Sequence, residues 1–176
     1  MYEKEPAKSY RYNDPQDADL GKILDPRHTA LLMIDMQNDF CDKEGKFAQA
    51  GRDASDVIRI VPRCKELLES ARSANVMVVH IQQSTLPGQQ SDNGGWLAFK
   101  TRDGKAPTYA TVNTWGWEHI DALKPHNDGE DGRYFEPVVL KFRPDGFLYT
   151  QLDLILRANG IESVVCCGCT TEGCVL

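Results

Sequence analysis

The sequence has no long hydrophobic run and no excess of positive charge, and each absence excludes a class of protein. No apolar segment approaches the ~20 residues that span a bilayer, and the polar start, MYEKEPAKSYRYNDPQ, lacks the apolar core of a signal peptide. The 20 Lys and Arg residues are outnumbered by 26 Asp and Glu, which gives a net charge of −6. Because phosphate binding requires clustered positive charge, nucleic acid is not an expected partner. We expect a soluble, cytoplasmic protein that does not bind a membrane.

Cysteine is present in number, but its spacing does not favour disulfides or a metal site. Neighbours such as Cys166 and Cys167 point to opposite faces of a strand, so they are poorly placed to pair with each other. A structural zinc site needs four ligands in a closed arrangement, and four of the cysteines crowd into one short segment while the other two lie far upstream. We interpret Cys166 and Cys167 as small apolar residues of the core. The six cysteines are Cys41, Cys64, Cys166, Cys167, Cys169 and Cys174.

Apolar runs that alternate with helical patterns predict an α/β fold. Strands are expected over residues 30–34, 76–81, 137–141 and 161–167, and their continuous hydrophobicity is typical of strands covered on both faces. Helices are expected from Ser55 to about residue 75, with Pro62 as a start or a kink, and over about 149–158. This order predicts a three-layer α/β/α, Rossmann-like fold with a doubly wound, mainly parallel sheet.

The domain organisation expected from this pattern is a polar arm, residues 1–27, followed by one domain, residues 28–176. An irregular insert, residues 82–133, interrupts the domain, with a short helix expected near 117–123. Long irregular segments inside a domain are usually functional, and the aromatic side chains here either line a pocket or anchor the loop to the core. These aromatic residues are Trp96, Phe99, Tyr109, Trp115 and Trp117.

Three chemically distinctive residues follow the expected strands, at the edge where sites form in parallel sheets. Asp35 follows the first strand, Lys141 ends the third, and Cys174 lies in the turn after the fourth. A thiolate attacks carbonyl carbon, a nearby carboxylate can take the thiol proton, and a lysine favours both anions. Each residue alone could be structural, but the set favours hydrolysis of an amide-like carbonyl through an acyl-thioenzyme. A Cys174–His80 pair is the alternative.

These residues lie in three motifs: DMQNDF at 35–40, KFRPDGF at 141–147 and GCTTEGCV at 168–175. Together they resemble the isochorismatase-like cysteine hydrolase superfamily, from about residue 27 to the end of the chain. The stretch after His80 has no second histidine of the kind that binds metal in nicotinamidase-like members. The metal-free branch of N-carbamoylsarcosine, ureidoacrylate and biuret amidohydrolases is therefore the nearer likeness, which implies a small amide or ureide substrate and no cofactor.

The resemblance also implies roles for single residues. Asp35, Lys141 and Cys174 would form the catalytic triad. A cis peptide would precede Thr170, and the N–H groups of Thr170 and Cys174 would form the oxyanion hole. The residues expected to bind the substrate are Gln37, Phe40, Trp115, Trp117 and Phe147.

Other functions and features stay open from the sequence. An isochorismatase-type vinyl ether hydrolase would need cationic residues for its dicarboxylate substrate, and Arg102 or Arg143 could provide them. A non-enzymatic binding or assembly protein is favoured by Glu172-Gly173, which replaces the expected Asp-Val-like pair. A thiol redox role is weakened by the lack of a Cys-x-x-Cys pair. The resemblance further implies a homo-oligomer, a dimer or tetramer, and leads us to expect that the domain is truncated after Cys174.

Overall fold

Four parallel strands form the framework of the molecule in the computed structural model, which describes residues 19–104, 109–127 and 135–176. Residues 1–18 of the expected arm, and 105–108 and 128–133 of the expected insert, lie outside the described residues. The order across the sheet is β3-β2-β1-β4. The strands are β1 (Thr29–Ile34), β2 (Met77–Gln83), β3 (Val138–Lys141) and β4 (Ser163–Gly168).

Helices cover the two faces of this sheet. The longest, α4, packs on one face and α6 packs on the other, which produces the doubly wound, three-layer arrangement. The α/β fold predicted from the sequence is therefore confirmed. The helices are α1 (Leu20–Ile23), α2 (Asn38–Cys41), α3 (Lys46–Gln49), α4 (Ser55–Ser73), α5 (Gly94–Lys100) and α6 (Leu152–Ala158).

The continuous hydrophobicity of β1 has a direct structural cause, because all six of its residues are buried. On one side, Leu31 and Met33 belong to the core cluster that contains Leu68 of α4. On the other side, Leu32 packs in the cluster that contains Leu156 of α6. A central strand covered on both faces needs apolar side chains at every position, rather than at alternate ones.

The prediction that Cys166 is a core residue is wrong. Strand β4 is paired only with β1 in the described sheet, and Val164 and Cys166 are exposed on one of its faces. The apolar cluster around α6 includes residues of β1, β2 and β3 but none of β4. Cys167, on the opposite face, is partly buried against the α4 side, as expected.

Helix boundaries also differ from the sequence prediction. Ser55 is the first residue of α4 rather than its cap, and the Asp53 carboxylate accepts the Ser55 N–H at 2.9 Å. Pro62 lies inside the helix without ending it. The short helix expected near 117–123 is instead two 3₁₀ turns, Trp115–Trp117 and Asp121–Leu123. Helix α5, within the insert, is not predicted by the sequence pattern.

Across the described ranges, none of the helices combines the length and the apolar character needed to cross a bilayer. The insert instead follows the sheet edge: its Thr85 and Thr111 form a parallel bridge, and Gln37, after β1, forms an antiparallel bridge with His119. The irregular insert is thereby attached to the carboxyl ends of β1 and β2.

Candidate active site

The sheet register brings four strand ends to one edge. Ile34 of β1 is opposite both Ile81 of β2 and Gly168 of β4, and Gln83 of β2 is opposite Lys141 of β3. The residues that follow β1 and β4 therefore meet the last residues of β2 and β3. From β1 the chain adds β2 and β3 on one side of the sheet and β4 on the other. The carboxyl edge between β1 and β4 is therefore the crevice in which parallel α/β sheets bind ligands.

Asp35 is aimed into this edge by an unusual backbone conformation. Its φ of 55° lies in the left-handed region, which non-glycine residues seldom adopt. Its N–H donates to the Ile81 carbonyl at 2.9 Å, so the backbone still follows the sheet at this point. The carboxylate, 2% exposed as a residue, accepts the Gln83 N–H through Oδ1 at 2.9 Å.

Lys141 is the centre of the polar network. Its ammonium group is buried and lies 2.8 Å from Asp35 Oδ2. It also donates to Gln83 Oε1 at 3.0 Å, to the Arg143 carbonyl at 3.3 Å and to Cys174 Sγ at 3.2 Å. A buried ammonium surrounded by acceptors in this way is fixed in position, and it links the carboxylate to the thiol.

Cys174 is presented by a single π-helical turn after β4. The turn, Thr171–Val175, follows a cis peptide bond between Cys169 and Thr170, as the family resemblance implied. The Thr170 carbonyl accepts N–H groups from Gly173, Cys174 and Val175, at 3.1 to 3.2 Å. The Thr170 N–H itself has no acceptor among the described residues, which leaves it available to a ligand.

Gly168 permits the close approach that places this turn. Its φ is +136°, and a Cβ there would overlap the backbone of Ile34 at the end of β1. The sequence therefore needs glycine where β4 passes β1 most closely, one residue before the cis peptide.

The electrostatics of the three residues favour a neutral thiol next to an ion pair. Burial raises the pKa of the Asp35 carboxyl, although the Lys141 charge opposes this change. Burial alone would lower the pKa of Lys141, but the charges and hydrogen bonds of Asp35 and Cys174 together raise that pKa. Burial, with the Asp35 charge added, raises the pKa of Cys174 to about 12 despite Lys141. The thiol therefore needs a base, and Asp35 has the position and the basicity for that role.

A cavity of about 350 Å³ opens over these residues. Asp35, Gln83 and Cys174 line it, together with Thr170 and Cys169. Its aromatic and aliphatic wall consists of Phe40, Phe47, Trp96, Phe99, Tyr109 and Pro144. Its charged lining consists of Arg52, Lys100, Arg102, Asp103 and Glu172, with Gly173 beside the last.

Of the five residues predicted to bind substrate, only Phe40 lines this cavity. Gln37 is fully buried, and its amide donates to the Gln83 carbonyl at 3.0 Å and to the Trp117 carbonyl at 2.7 Å. Trp117 packs against the core, and its indole N–H donates to Ser84 Oγ at 2.9 Å. Trp115 and Phe147 are half-exposed at other positions. The four residues outside the cavity are therefore placed as structural or surface residues.

The alternative nucleophile partner, His80, does not meet Cys174. Strand β2 continues three residues beyond His80, so this histidine lies within the strand and not at its end. Its ring is fully buried, with Nε2 3.0 Å from Glu136 Oε2, and it packs edge to face with His119 at 5.2 Å. At ~3.3 Å per strand residue, this pair lies about 10 Å below the Gln83 level.

Arg102 and Arg143, the two arginines that could bind a dicarboxylate substrate, lie at different positions in the structure. Arg102 lines the cavity, with its guanidinium 3.8 Å above the Phe99 ring. Arg143 instead lies over Trp96 at 5.7 Å and donates to the Ser91 carbonyl. It is the Arg143 backbone that reaches the catalytic centre, through its carbonyl contact with Lys141.

Sequence reasoning missed Gln83. It gave Tyr109, with Trp96 and Phe99, as insert aromatics that either line a pocket or anchor the loop, and all three line the cavity. Gln83 ends β2 beside His80, so its position at the carboxyl edge is a usable signal once the strand is extended by two residues. Tyr109 is one of the insert aromatics, but no local pattern distinguishes a residue that lines the cavity from one that packs in the core.

Within the ranges that the structure describes, no three His, Cys, Asp or Glu side chains are grouped to hold a metal ion. All six cysteines are free thiols. Cys41 and Cys169 are buried, and the Cys169 thiol donates to the Asp35 carbonyl at 3.3 Å.

Comparison with known proteins shows the family to which the chain belongs. Residues 29–176 match the family model described as the isochorismatase domain. Ureidoacrylate amidohydrolase RutB of Caulobacter segnis is 33% identical over 162 residues, which cover 86% of this chain and 65% of that protein. A matching protein of Agrobacterium fabrum with the same name is 29% identical, with 86% and 68% covered. The chain thus spans about two thirds or slightly less of the length of these curated relatives.

Solved structures agree with the sequence matches. A cysteine hydrolase from Pseudomonas syringae pv. phaseolicola has a TM-score of 0.70 at 26% identity, with 87% of this chain and 64% of that one covered. N-carbamoylsarcosine amidase from Thermoplasma acidophilum has a TM-score of 0.64 at 26% identity, with 84% and 70% covered. Asp35, Lys141 and Cys174 all lie within the range that matches the family model.

Proposed function

We propose that this chain, which belongs to the isochorismatase family, is a cysteine-dependent amidohydrolase that cleaves a small ureide or carbamoyl amide. The products would be ammonia and a carboxylate, or a carbamate where the substrate is a ureide. One observation carries the proposal: Lys141 contacts both Asp35 and Cys174, and these two residues line the same cavity. The names of the relatives, amidohydrolases and a cysteine hydrolase, support the same reaction class.

The first half of the reaction forms an acyl-thioenzyme. Asp35 takes the thiol proton of Cys174, and the sulfur attacks the carbonyl carbon of the substrate. The carbonyl oxygen becomes an oxyanion, for which the free Thr170 N–H is a suitable donor. The C–N bond then breaks, and Asp35 returns the proton to the leaving nitrogen, which departs as ammonia.

The second half releases the acid. A water molecule gives its proton to Asp35 and attacks the thioester carbon, and the C–S bond breaks. The thiolate of Cys174 regains its proton from Asp35. Throughout both halves Lys141 balances the negative charge that moves between the carboxylate and the sulfur, because it contacts both groups. The proposal requires no metal or cofactor.

The second proposed oxyanion donor requires a local change. The Cys174 N–H donates to the Thr170 carbonyl at 3.1 Å, so it would have to turn towards the substrate oxygen. The Thr170 carbonyl would keep the N–H groups of Gly173 and Val175, and the exchange would therefore leave no buried acceptor without a donor.

The alternatives have less support from the geometry. A vinyl ether hydrolase for a dicarboxylate would use two unpaired cationic side chains. Arg102 lines the cavity, but the other two cations of its lining, Arg52 and Lys100, are paired with Asp103 and Asp92. A non-enzymatic binding protein would have no need for a buried lysine that joins a carboxylate to a half-buried thiol. We also propose a cytoplasmic location and a dimeric or tetrameric assembly, on the family resemblance alone.

Ammonia release tests the proposal. With ureidoacrylate or N-carbamoylglycine as the substrate, Cys174→Ala should lower kcat by more than about 10³-fold, because the nucleophile is lost. Cys166→Ala, which removes an exposed thiol of β4, is the matched control and should leave kcat within about twofold of the parent protein. Equal turnover by Cys174→Ala and the parent protein would refute the proposal.

A further inference from the structure

We propose that the Tyr109 hydroxyl donates a hydrogen bond to a substrate oxygen remote from the cleaved bond, and so selects amides that carry a second acceptor. This inference deepens the proposed function and rests on it. Tyr109 lines the same cavity as Cys174, on the wall that the insert supplies. It would be a specificity residue, in contact with the substrate but not with the reacting atoms.

The Tyr109 ring is held in place from several sides. Phe40 and Phe47 pack edge to face against it, with ring centres 5.5 and 5.7 Å away. The Lys100 ammonium lies 4.8 Å from the ring centre, and the Arg52 guanidinium lies 6.0 Å from it. Aromatic contacts and cations over the ring face both favour a single orientation. The hydroxyl is therefore positioned before a substrate arrives.

Lys100 is itself immobilised, which strengthens this arrangement. Its side chain is fully buried, with Nζ 2.7 Å from Asp92 Oδ2 and 3.3 Å from Thr85 Oγ1. Thr85 also donates its backbone N–H to the carbonyl of Ala110, the residue after Tyr109. The ring and its backbone are thus both tied to the end of β2.

The hydroxyl at the end of this fixed ring has no hydrogen-bond partner among the described residues. Burial raises the pKa of Tyr109 to about 12, so the phenol is neutral near pH 7 and can donate. Arg52, Arg102 and Cys174 line the same cavity as Tyr109. A preorganised donor of this kind discriminates strongly between ligands with and without an acceptor.

The charge around the hydroxyl indicates which acceptor is favoured. Arg102 also lines the cavity, where it lies over Phe99 and donates to the Phe99 carbonyl. Within the described residues it forms no ion pair, although Asp103 and Glu172 line the same cavity. A carboxylate oxygen of the substrate, beside the Tyr109 hydroxyl, would gain from this charge more than a neutral carbonyl oxygen.

Two substrates that differ in one group test the inference. N-carbamoylglycine has a carboxylate where ethylurea has a methyl group, and both have the same ureide carbonyl. We expect Tyr109→Phe to lower the ratio of their kcat/KM values, N-carbamoylglycine over ethylurea, by about tenfold or more. Tyr149→Phe makes the same chemical change on a tyrosine that is 97% exposed, and it should leave the ratio unchanged.

Binding to a protein that cannot turn over separates this inference from the proposed reaction. N-carbamoylglycine should bind Tyr109→Phe/Cys174→Ala about tenfold or more weakly than Cys174→Ala, as measured by calorimetry. Equal affinities, an unchanged kcat/KM ratio or no binding to Cys174→Ala would overturn the role of Tyr109. Failure of the parent protein to release ammonia would instead count against the proposed function, whatever the binding result.

Discussion

Replacing Asp35 with asparagine should make Cys174 react faster with an alkylating agent, while amide hydrolysis becomes much slower. The carboxylate is the largest charged influence that keeps Cys174 protonated, and only burial has a greater effect on its pKa. Asparagine has the same shape and accepts the left-handed backbone that Asp35 adopts, with its φ of 55°. It can still accept the Gln83 N–H. The substitution removes one charge and puts an amide NH2 group in place of Oδ2, so the Lys141 ammonium loses that acceptor but keeps Gln83 Oε1, the Arg143 carbonyl and Cys174 Sγ.

The size of the effect follows from the pKa values. A thiol with a pKa of about 12, in place of the ordinary 9.0, has a thiolate population about 10³-fold lower at neutral pH. Removing the Asp35 charge leaves Lys141, at 3.2 Å, as the nearest charge, and it favours the thiolate. We expect the alkylation rate of Cys174 at pH 7 to rise about tenfold or more, since each pKa unit is a factor of ten. Hydrolysis should fall by about 10²–10⁴-fold, because no group remains to move the proton.

The assay is a time course with iodoacetamide, in which tandem mass spectrometry reports the alkylation of each cysteine. Cys166 is exposed and lies away from the polar network, so its rate is an internal reference in every sample. Asp121→Asn removes a carboxylate that is 93% exposed and should change neither rate. Slower or equal alkylation of Cys174 in Asp35→Asn would show that the Asp35 charge is not what keeps the thiol protonated.

Two further outcomes are expected from the buried polar groups. Gln83→Met removes an acceptor of the Lys141 ammonium, so kcat should fall about 10- to 100-fold with a smaller change in KM. A change in KM alone would contradict this role, and Gln151→Met, at an exposed site, is the control. Burial lowers the pKa of His119 from 6.5 to about 3. Between these two pH values the unfolded chain binds a proton that the folded chain does not. The folded state therefore becomes less stable as the pH decreases. The free energy of unfolding, measured with urea, should fall between pH 7.5 and 5 by about 2 kcal/mol less in His119→Phe than in the parent protein. If this free energy falls as much in His119→Phe as in the exposed-site variant His28→Phe, the role of His119 is contradicted.

The catalytic end of the site could be predicted because it depends on strands. Asp35 and Lys141 adjoin apolar runs that are buried in the sheet, and parallel pairing alone brings their ends together. Cys174 follows another strand and is located by the same rule. The motifs around these residues then indicated the chemistry, which neither burial nor pairing specifies.

The cavity wall could not be predicted, because it depends on how an irregular segment folds back. Trp115, Trp117 and Tyr109 are similar in sequence terms, being aromatic residues among polar ones, yet only Tyr109 lines the cavity. Gln37 follows the Asp35 motif closely, but its amide is used by backbone carbonyls in the core. Tertiary contacts between segments far apart in the chain decide which insert side chains face the cavity. Local sequence periodicity does not indicate these contacts.

The way in which the insert is attached has a consequence for how this protein could change over evolution. Gln37 and Gln82 hold the Trp117 carbonyl, Asn38 holds the Trp115 carbonyl, and Asp39 accepts the Ala110 N–H at 2.7 Å. In each case a side chain near the sheet binds the main chain of the insert, which every amino acid has. Many insert side chains can therefore be exchanged while the anchors remain intact. A descendant could acquire a new substrate by altering the cavity wall, without rebuilding the scaffold that supports its chemistry.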